Sequence, residues 1–334
     1  MVAAGMRRVG ALAATLLLPL LATANEAGIT TPDSPSDEPE MQVVLVRGVQ
    51  PGPALWKVAS GDHVLWLLGE ISPNSRKVKW QSREFENLLR ESQELLIDFS
   101  GYWFVDEESR AMLRKAGKLP AGTQLKDVIS PELHARVTAT AQKFGKPSLE
   151  DWYAFAATNR LVSSAMQKLD LESFSVRFEA ARLGEWRRMK VTPFAVAEIS
   201  FEQRLRNWQQ PANEVCLERL VDAIEDGGNG VVRLANAWSV GDIKSLRELV
   251  PLYSFSRDGF RAGECADAMH GTAQNARDYK LRRNKAWLEE AERALKENRS
   301  TVGVVLMSEL FEPDGYLAEL RARGYEVTEP KSER

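Results

Sequence analysis

Apolar positions along the chain follow two periods. Residues 53–58 (PALWKV) and 64–68 are short apolar runs of strand length, separated by Ser60-Gly61-Asp62-His63, which has turn chemistry. Together they predict a hairpin. Residues 69–79 read as a loop. Ser82 is placed to cap a helix whose stripe is Phe85, Leu88 and Leu89, and residues 95–99 (LLIDF) form another buried-type strand. The period then becomes helical. Ser130-Pro131-Glu132 starts a helix that runs to Lys143. Further helices are predicted over residues 148–168, 174–189, 199–208, 215–224, 231–238, 242–249 and 278–296, with a short strand at 191–197. At the end, residues 302–307 read as a strand, 308–313 as a loop and 315–323 as a helix, stopped by Gly324 and followed by a strand at 325–327.

Two strand-loop-helix-strand units therefore bracket a helical middle. The predicted fold class is α/β (α+β), with a mixed central sheet formed by the N- and C-terminal units. Pairing both units in one sheet brings the loops after their first strands to one sheet edge, where α/β proteins tend to place sites.

The first residues carry a different pattern. Arg7-Arg8 precede an apolar run from Gly10 to Leu21, and Ala22-Thr23-Ala24 is a small-residue cleavage site. This is the three-part pattern of a secretory leader, with cleavage after Ala24 and a periplasmic or secreted destination. The apolar run is too short to span ~30 Å of hydrocarbon as a helix. No later stretch is long and apolar enough to cross a membrane, so no transmembrane helix is expected after cleavage. Residues 25–42 include TTPDSPSDEPE, which has almost nothing to bury and reads as a disordered linker. A single domain is expected over residues 43–330. The chain has 334 residues, 44% of them hydrophobic, enough for a sizeable core. Its formal net charge is -3, and losing Arg7 and Arg8 with the leader makes the remainder more acidic. That balance gives no electrostatic reason to expect nucleic acid or an anionic membrane as a partner, and names no other.

Export to an oxidising compartment predicts a disulfide between the two cysteines, Cys216 and Cys265, with two free buried thiols as the alternative. His63 falls in the hairpin turn, His134 within a helix beside Glu132 and Arg136, and His270 before Gly271; all three read as surface residues, and no pair has metal-ligand spacing. There is no G-x-S-x-G and no G-x-x-x-x-G-K. Gly227-Gly228-Asn229-Gly230 reads as a turn. Trp56, Trp152 and Trp238 fit apolar stripes, whereas Tyr102-Trp103-Phe104 follows a strand end, where core packing is favoured over lining a cleft.

The combination of PALWKV, LWLLG and LLIDF near the start, FAVAEISFEQRL in the middle, and RRNKAWLEEAERALK with DGYLAELRARGYEV at the end resembles the TraB/GumN family, related to the TIKI proteases. That resemblance spans about residues 53–327. It implies a metal-dependent hydrolase with two G-x-x-H motifs, one after each bracketing strand, plus acidic residues and an Arg. Two such histidines with a carboxylate would hold one divalent metal and leave a position for water. Against that pattern, the first motif reads Gly69-Glu70-Ile71-Ser72, with Ser72 in the His position. The second aligns with Leu306-Met307-Ser308-Glu309, so Glu309 replaces His and the Gly is gone. Asp98 is a shortened version of the usual Glu, and Ser175-Val176-Arg177 lacks the acidic residue of a Gly-Val-Asp. Glu198, Gln203 and Arg283-Asn284 are retained.

The first reading is a degenerate, non-catalytic family member that binds or scaffolds in the cell envelope, with no metal or other cofactor. The alternative is a divergent hydrolase or peptidase with a carboxylate site of Glu70, Asp98, Glu198 and Glu309 and with Arg283 as an anion partner; oxygen ligands favour Mg²⁺, Ca²⁺ or Mn²⁺ over zinc. A third reading, accessory work in exopolysaccharide production, rests only on the GumN name. On the first reading, Ser72 and Glu309 face one cleft near Asp98 and Arg283, and an Arg–carboxylate pair fills the space of the metal.

Overall fold

The computed structural model describes residues 48–76, 78–80, 83–98, 107–145, 148–173, 175–194, 196, 200–210, 213–255 and 264–330. The leader and linker, Ser82, Tyr102-Trp103-Phe104 and Glu198 lie outside the described residues.

In chain order, β1 (Val49–Gln50), β2 (Leu55–Ser60), β3 (His63–Glu70), β4 (Asn74–Ser75) and β5 (Lys79–Trp80) precede α1 (Arg83–Glu91) and β6 (Glu94–Asp98). Next come α2 (Glu107–Ala116), α3 (Pro131–Lys143), α4 (Ala154–Leu169), β7 (Leu171–Glu172), α5 (Ser175–Trp186) and β8 (Lys190–Phe194). The helices α6 (Phe201–Trp208), α7 (Glu214–Ile224), α8 (Asn229–Val240), α9 (Ile243–Tyr253), α10 (Glu264–His270) and α11 (Ala273–Glu297) follow. The chain then closes through β9 (Ser300–Leu306), α12 (Met307–Phe311), α13 (Tyr316–Ala322) and β10 (Glu326–Thr328).

Six strands make one mixed sheet in the order β10-β2-β3-β9-β6-β8. The hairpin β2–β3 is antiparallel, and β10 adds antiparallel to β2. The four strands β3, β9, β6 and β8 run parallel. Their register places Glu70 opposite Leu306 and Ile97 opposite Val304, so the segments after β3 and β9 leave the sheet side by side. Parallel strands are covered on both faces, which is why β6 is buried at every position. One core packs the sheet against α1, α5, α8, α9, α11 and α13, and it contains Trp56 and Trp238. A second core lies among the helices α3, α4, α7 and α10, with Trp152 packed at its margin.

The helix starts follow their caps. Ser130 accepts from the Leu133 amide at the start of α3, and Asp242 accepts from the Ser245 amide at the start of α9. Four expectations need correction. The loop expected at 69–79 contains β4, which pairs with β7, and reaches β5, which pairs with β1. The helix expected from residue 148 begins at Ala154. Residues 149–153 are drawn away because the Leu119 and Leu125 amides donate to the Asp151 and Glu150 carbonyls, and the Tyr153 amide to the Gly117 carbonyl. The loop expected at 308–313 is mostly α12, because Met307, Leu310 and Phe311 pack one helical stripe onto the sheet core. His270, read as a surface residue, is buried and stacked on Tyr279 at 4.8 Å.

Candidate functional site

β3, β6 and β9 end at the same side of the sheet, and each delivers a carboxylate there. Glu70 is the last residue of β3 and Asp98 the last of β6, while Glu309 sits in α12, three residues beyond the end of β9. Asp98 and Glu309 are buried, and Glu70 is only 1% exposed. The close approach of α12 to β3 explains Gly69. A Cβ there would lie 2.6 Å from the Met307 sulfur and 3.0 Å from Leu310 Cδ1. The Gly69 carbonyl accepts from the Trp238 indole at 2.8 Å, which fixes the end of the strand.

Each of the two motif carboxylates is taken by an arginine. Glu70 Oε1 accepts from the Val176 and Arg177 amides at 2.9 and 3.2 Å, and its Oε2 accepts from Arg177 Nε at 2.5 Å. The carboxylate therefore caps the N-terminus of α5 and also pairs with a guanidinium of that same helix, both favourable for an anion. Arg177 also donates to the Asp98 carbonyl and is 1% exposed. Across the site, Arg283 of α11 pairs with Glu309, and both are buried. Tyr316 donates to Asp98 Oδ2 at 3.2 Å and stacks on Trp287 at 3.9 Å. Arg283 lies 5.9 Å from the Tyr279 ring. Its neighbour Asn284 donates to the Asp314 carbonyl at 3.2 Å, holding the turn into α13.

Ionisation follows this geometry. Burial disfavours the Arg283 cation, but Glu309, Tyr316 and Asp98 outweigh that and hold its pKa well above the ordinary value. Burial pushes the Glu309 carboxyl up; Glu312 and Asp98 add to the rise and Arg283 opposes it. Burial and the Asp98 carboxylate likewise raise the Tyr316 phenol well above its usual range. Among the described residues, Ser72 Oγ, Glu309 Oε2 and Arg283 Nε are buried without a hydrogen-bond partner. The Ser72 carbonyl accepts from the Phe255 amide at 2.6 Å and the Ser254 hydroxyl at 3.0 Å, which ties the first motif to the end of α9.

These residues do not suit the metal that the resemblance implies. Position 72 offers a neutral hydroxyl, and Glu70 and Glu309 each face a guanidinium, beside which a divalent cation is repelled. Among the described residues, no three His, Cys, Asp or Glu side chains are grouped so as to hold a metal ion. His63 bonds the Asn298 carbonyl at 2.8 Å and His134 pairs with Glu150 at 2.6 Å, both away from the site.

Glu70, Asp98, Arg283 and Glu309 thus belong to one buried region at the sheet edge. Gln203 does not join it: its amide donates to Asn207, which in turn donates to the Met269 carbonyl and so fastens α10. Sequence reasoning missed Arg177 and Tyr316 as members. Arg177 carried a signal, since a basic residue stands where the resemblance expects an acidic one while Glu70 supplies an acid nearby. Cys216 and Cys265 form a disulfide between α7 and α10, with Cα atoms 4.8 Å apart. A family model described as TraB/PrgY/gumN family matches residues 54–329. No curated protein and no solved structure matches the chain.

Proposed function

The chain belongs to the TraB/PrgY/gumN family, and we propose that it is a non-catalytic member, exported to the cell envelope, that works by binding there rather than by hydrolysis. The observation that carries this reading is the pairing of both motif carboxylates with buried arginines. Glu70 is engaged by Arg177 and two amides, and Glu309 by Arg283. For a carboxylate-rich metal site to assemble, both carboxylates would have to leave their guanidinium partners in a buried setting, which costs several kcal/mol per pair. The Ser72 hydroxyl is a poor metal ligand at neutral pH, so position 72 adds nothing to such a site. The arrangement instead keeps the sheet edge rigid.

Export rests on the leader pattern and the paired cysteines. Protein recovered from the envelope is expected to begin at Asn25; N-terminal sequencing that finds the leader intact overturns the export part. Metal analysis of the purified protein tests the rest. The expected result is no stoichiometric zinc or manganese and no hydrolysis of peptides sensitive to chelation. Ser72→His combined with Glu309→His is expected to raise zinc affinity. Wild-type protein that copurifies with one equivalent of metal, and loses a hydrolytic activity on chelation, refutes the reading.

A further inference from the structure

At the opposite end of the parallel strands, α5 turns into β8 through Trp186-Arg187-Arg188-Met189. Trp186 is 74% exposed, the most exposed of the large hydrophobic side chains among the described residues. An indole left in water forfeits the burial that its size normally brings. The turn that presents it is firmly built: the Arg187 and Met189 amides donate to the Leu183 and Gly184 carbonyls, and Gly184 lets β8 approach so closely that a Cβ would lie 2.8 Å from Val191.

Arg188 follows with φ +57°, the left-handed region that favours glycine. Its side chain is exposed and has no partner among the described residues. That angle serves the end of α5: the Arg188 and Met189 amides donate to the Glu185 and Gly184 carbonyls, the usual left-handed helix cap, which leaves the guanidinium outside the fold. Arg187 reaches back to the Glu86 carbonyl, with its guanidinium 5.9 Å from the Trp186 ring. Lys190 is more than half exposed while it contacts Glu94. Glu185 is the carboxylate beside the turn and Glu94 offsets Lys190, so Arg187, Arg188 and Lys190 against two acids leave the turn one charge positive on a chain whose net charge is -3.

We propose that this turn is a peripheral docking point for an anionic phospholipid surface. An exposed indole suits the headgroup layer, and arginines beside it suit lipid phosphates. A folded protein partner fits less well, because a single turn is far smaller than the ~800 Å² per partner of a stable interface. Docking in this way leaves the buried polar region of β3, β6 and β9 at the far end of the sheet, facing away from the bilayer, since Lys190 pairs with Glu94 at the start of β6 and Asp98 ends it.

The test is cosedimentation of protein purified from the soluble fraction with vesicles of phosphatidylcholine alone, or with about one-third phosphatidylglycerol. Binding is expected to the anionic vesicles alone and to weaken as salt rises. Trp186→Ser and Arg188→Gly should each weaken it, the latter by about fivefold, the effect of one basic group at the surface. Arg188→Gly suits its backbone angle, so its thermal midpoint should hold or rise and unfolding cannot account for its loss. Equal binding to neutral vesicles, unchanged binding in both variants, pelleting without vesicles through self-association, or no binding at all overturns the proposal.

Discussion

Arg177 and Glu70 are both shut off from water, so removing one charge strands the other. Arg177→Met is expected to lose about 3–5 kcal/mol in chemical denaturation. The second pair is asymmetric. Burial pushes the Glu309 carboxyl up, so without Arg283 it can take a proton, whereas Arg283 is held charged chiefly by Glu309 and cannot shed its charge; Glu309→Gln should therefore cost at least as much as Arg283→Met in the same measurement. Glu94, at the other end of β6, gives a pH signature. Burial alone would raise its carboxyl, but hydrogen bonds from Arg293, Thr192, Asn298 and Lys190 outweigh that and bring its pKa from 4.5 down to about 2. A lowered folded pKa contributes stability above the unfolded value, and that contribution is lost as pH falls from about 4.5 to about 2. The difference in stability between wild type and Glu94→Gln should therefore shrink across that window, by roughly 2–3 kcal/mol. At this scale the sequence showed that Glu309 and Arg283 belong together and that the cysteines pair. It hid Arg177 and misplaced His270, because what buries these side chains comes from residues distant in the chain.

The elements around the site depend on close contact, and two glycines separate soft contact from hard. A Cβ on Gly69 meets the flexible end of Met307, while one on Gly315 would lie 2.3 Å from the backbone carbonyl of Glu309. Gly69→Ala should cost about 1–3 kcal/mol and be partly rescued by Met307→Ala. Gly315→Ala forces apart the junction of α12 and α13, so it should cost more, and no side-chain truncation should rescue it; thermal melts of the single and double variants decide this. Element type was legible wherever a cap and an apolar stripe agreed, as at Ser130 and Asp242. It was misread where they did not: residues 149–153 carry helical spacing but give their backbone groups to residues 117–125, and α12 is too short to reveal a period. The register of β9 between β3 and β6 has no local signal at all.

Across the whole molecule, the Cys216–Cys265 bridge closes a loop of 49 residues within the helical core. Cys216→Ser with Cys265→Ser should lower stability by about 4 kcal/mol on the chain-entropy estimate, read as a lower thermal midpoint that added reductant does not change further. The bracketing of a helical middle by two strand units was visible from the sequence, and so was their meeting in one sheet. The strand order was not, because apolar runs carry no record of their neighbours. That order has a consequence for the timing of synthesis. β9 lies at the middle of the sheet but near the end of the chain, between strands made more than two hundred residues earlier. β3 and β6 cannot be joined until it arrives, and such distant pairing is slow. A nascent chain lacking residues 300–330 should therefore show no cooperative unfolding transition. The six-stranded sheet is therefore the last part of the fold that synthesis can complete.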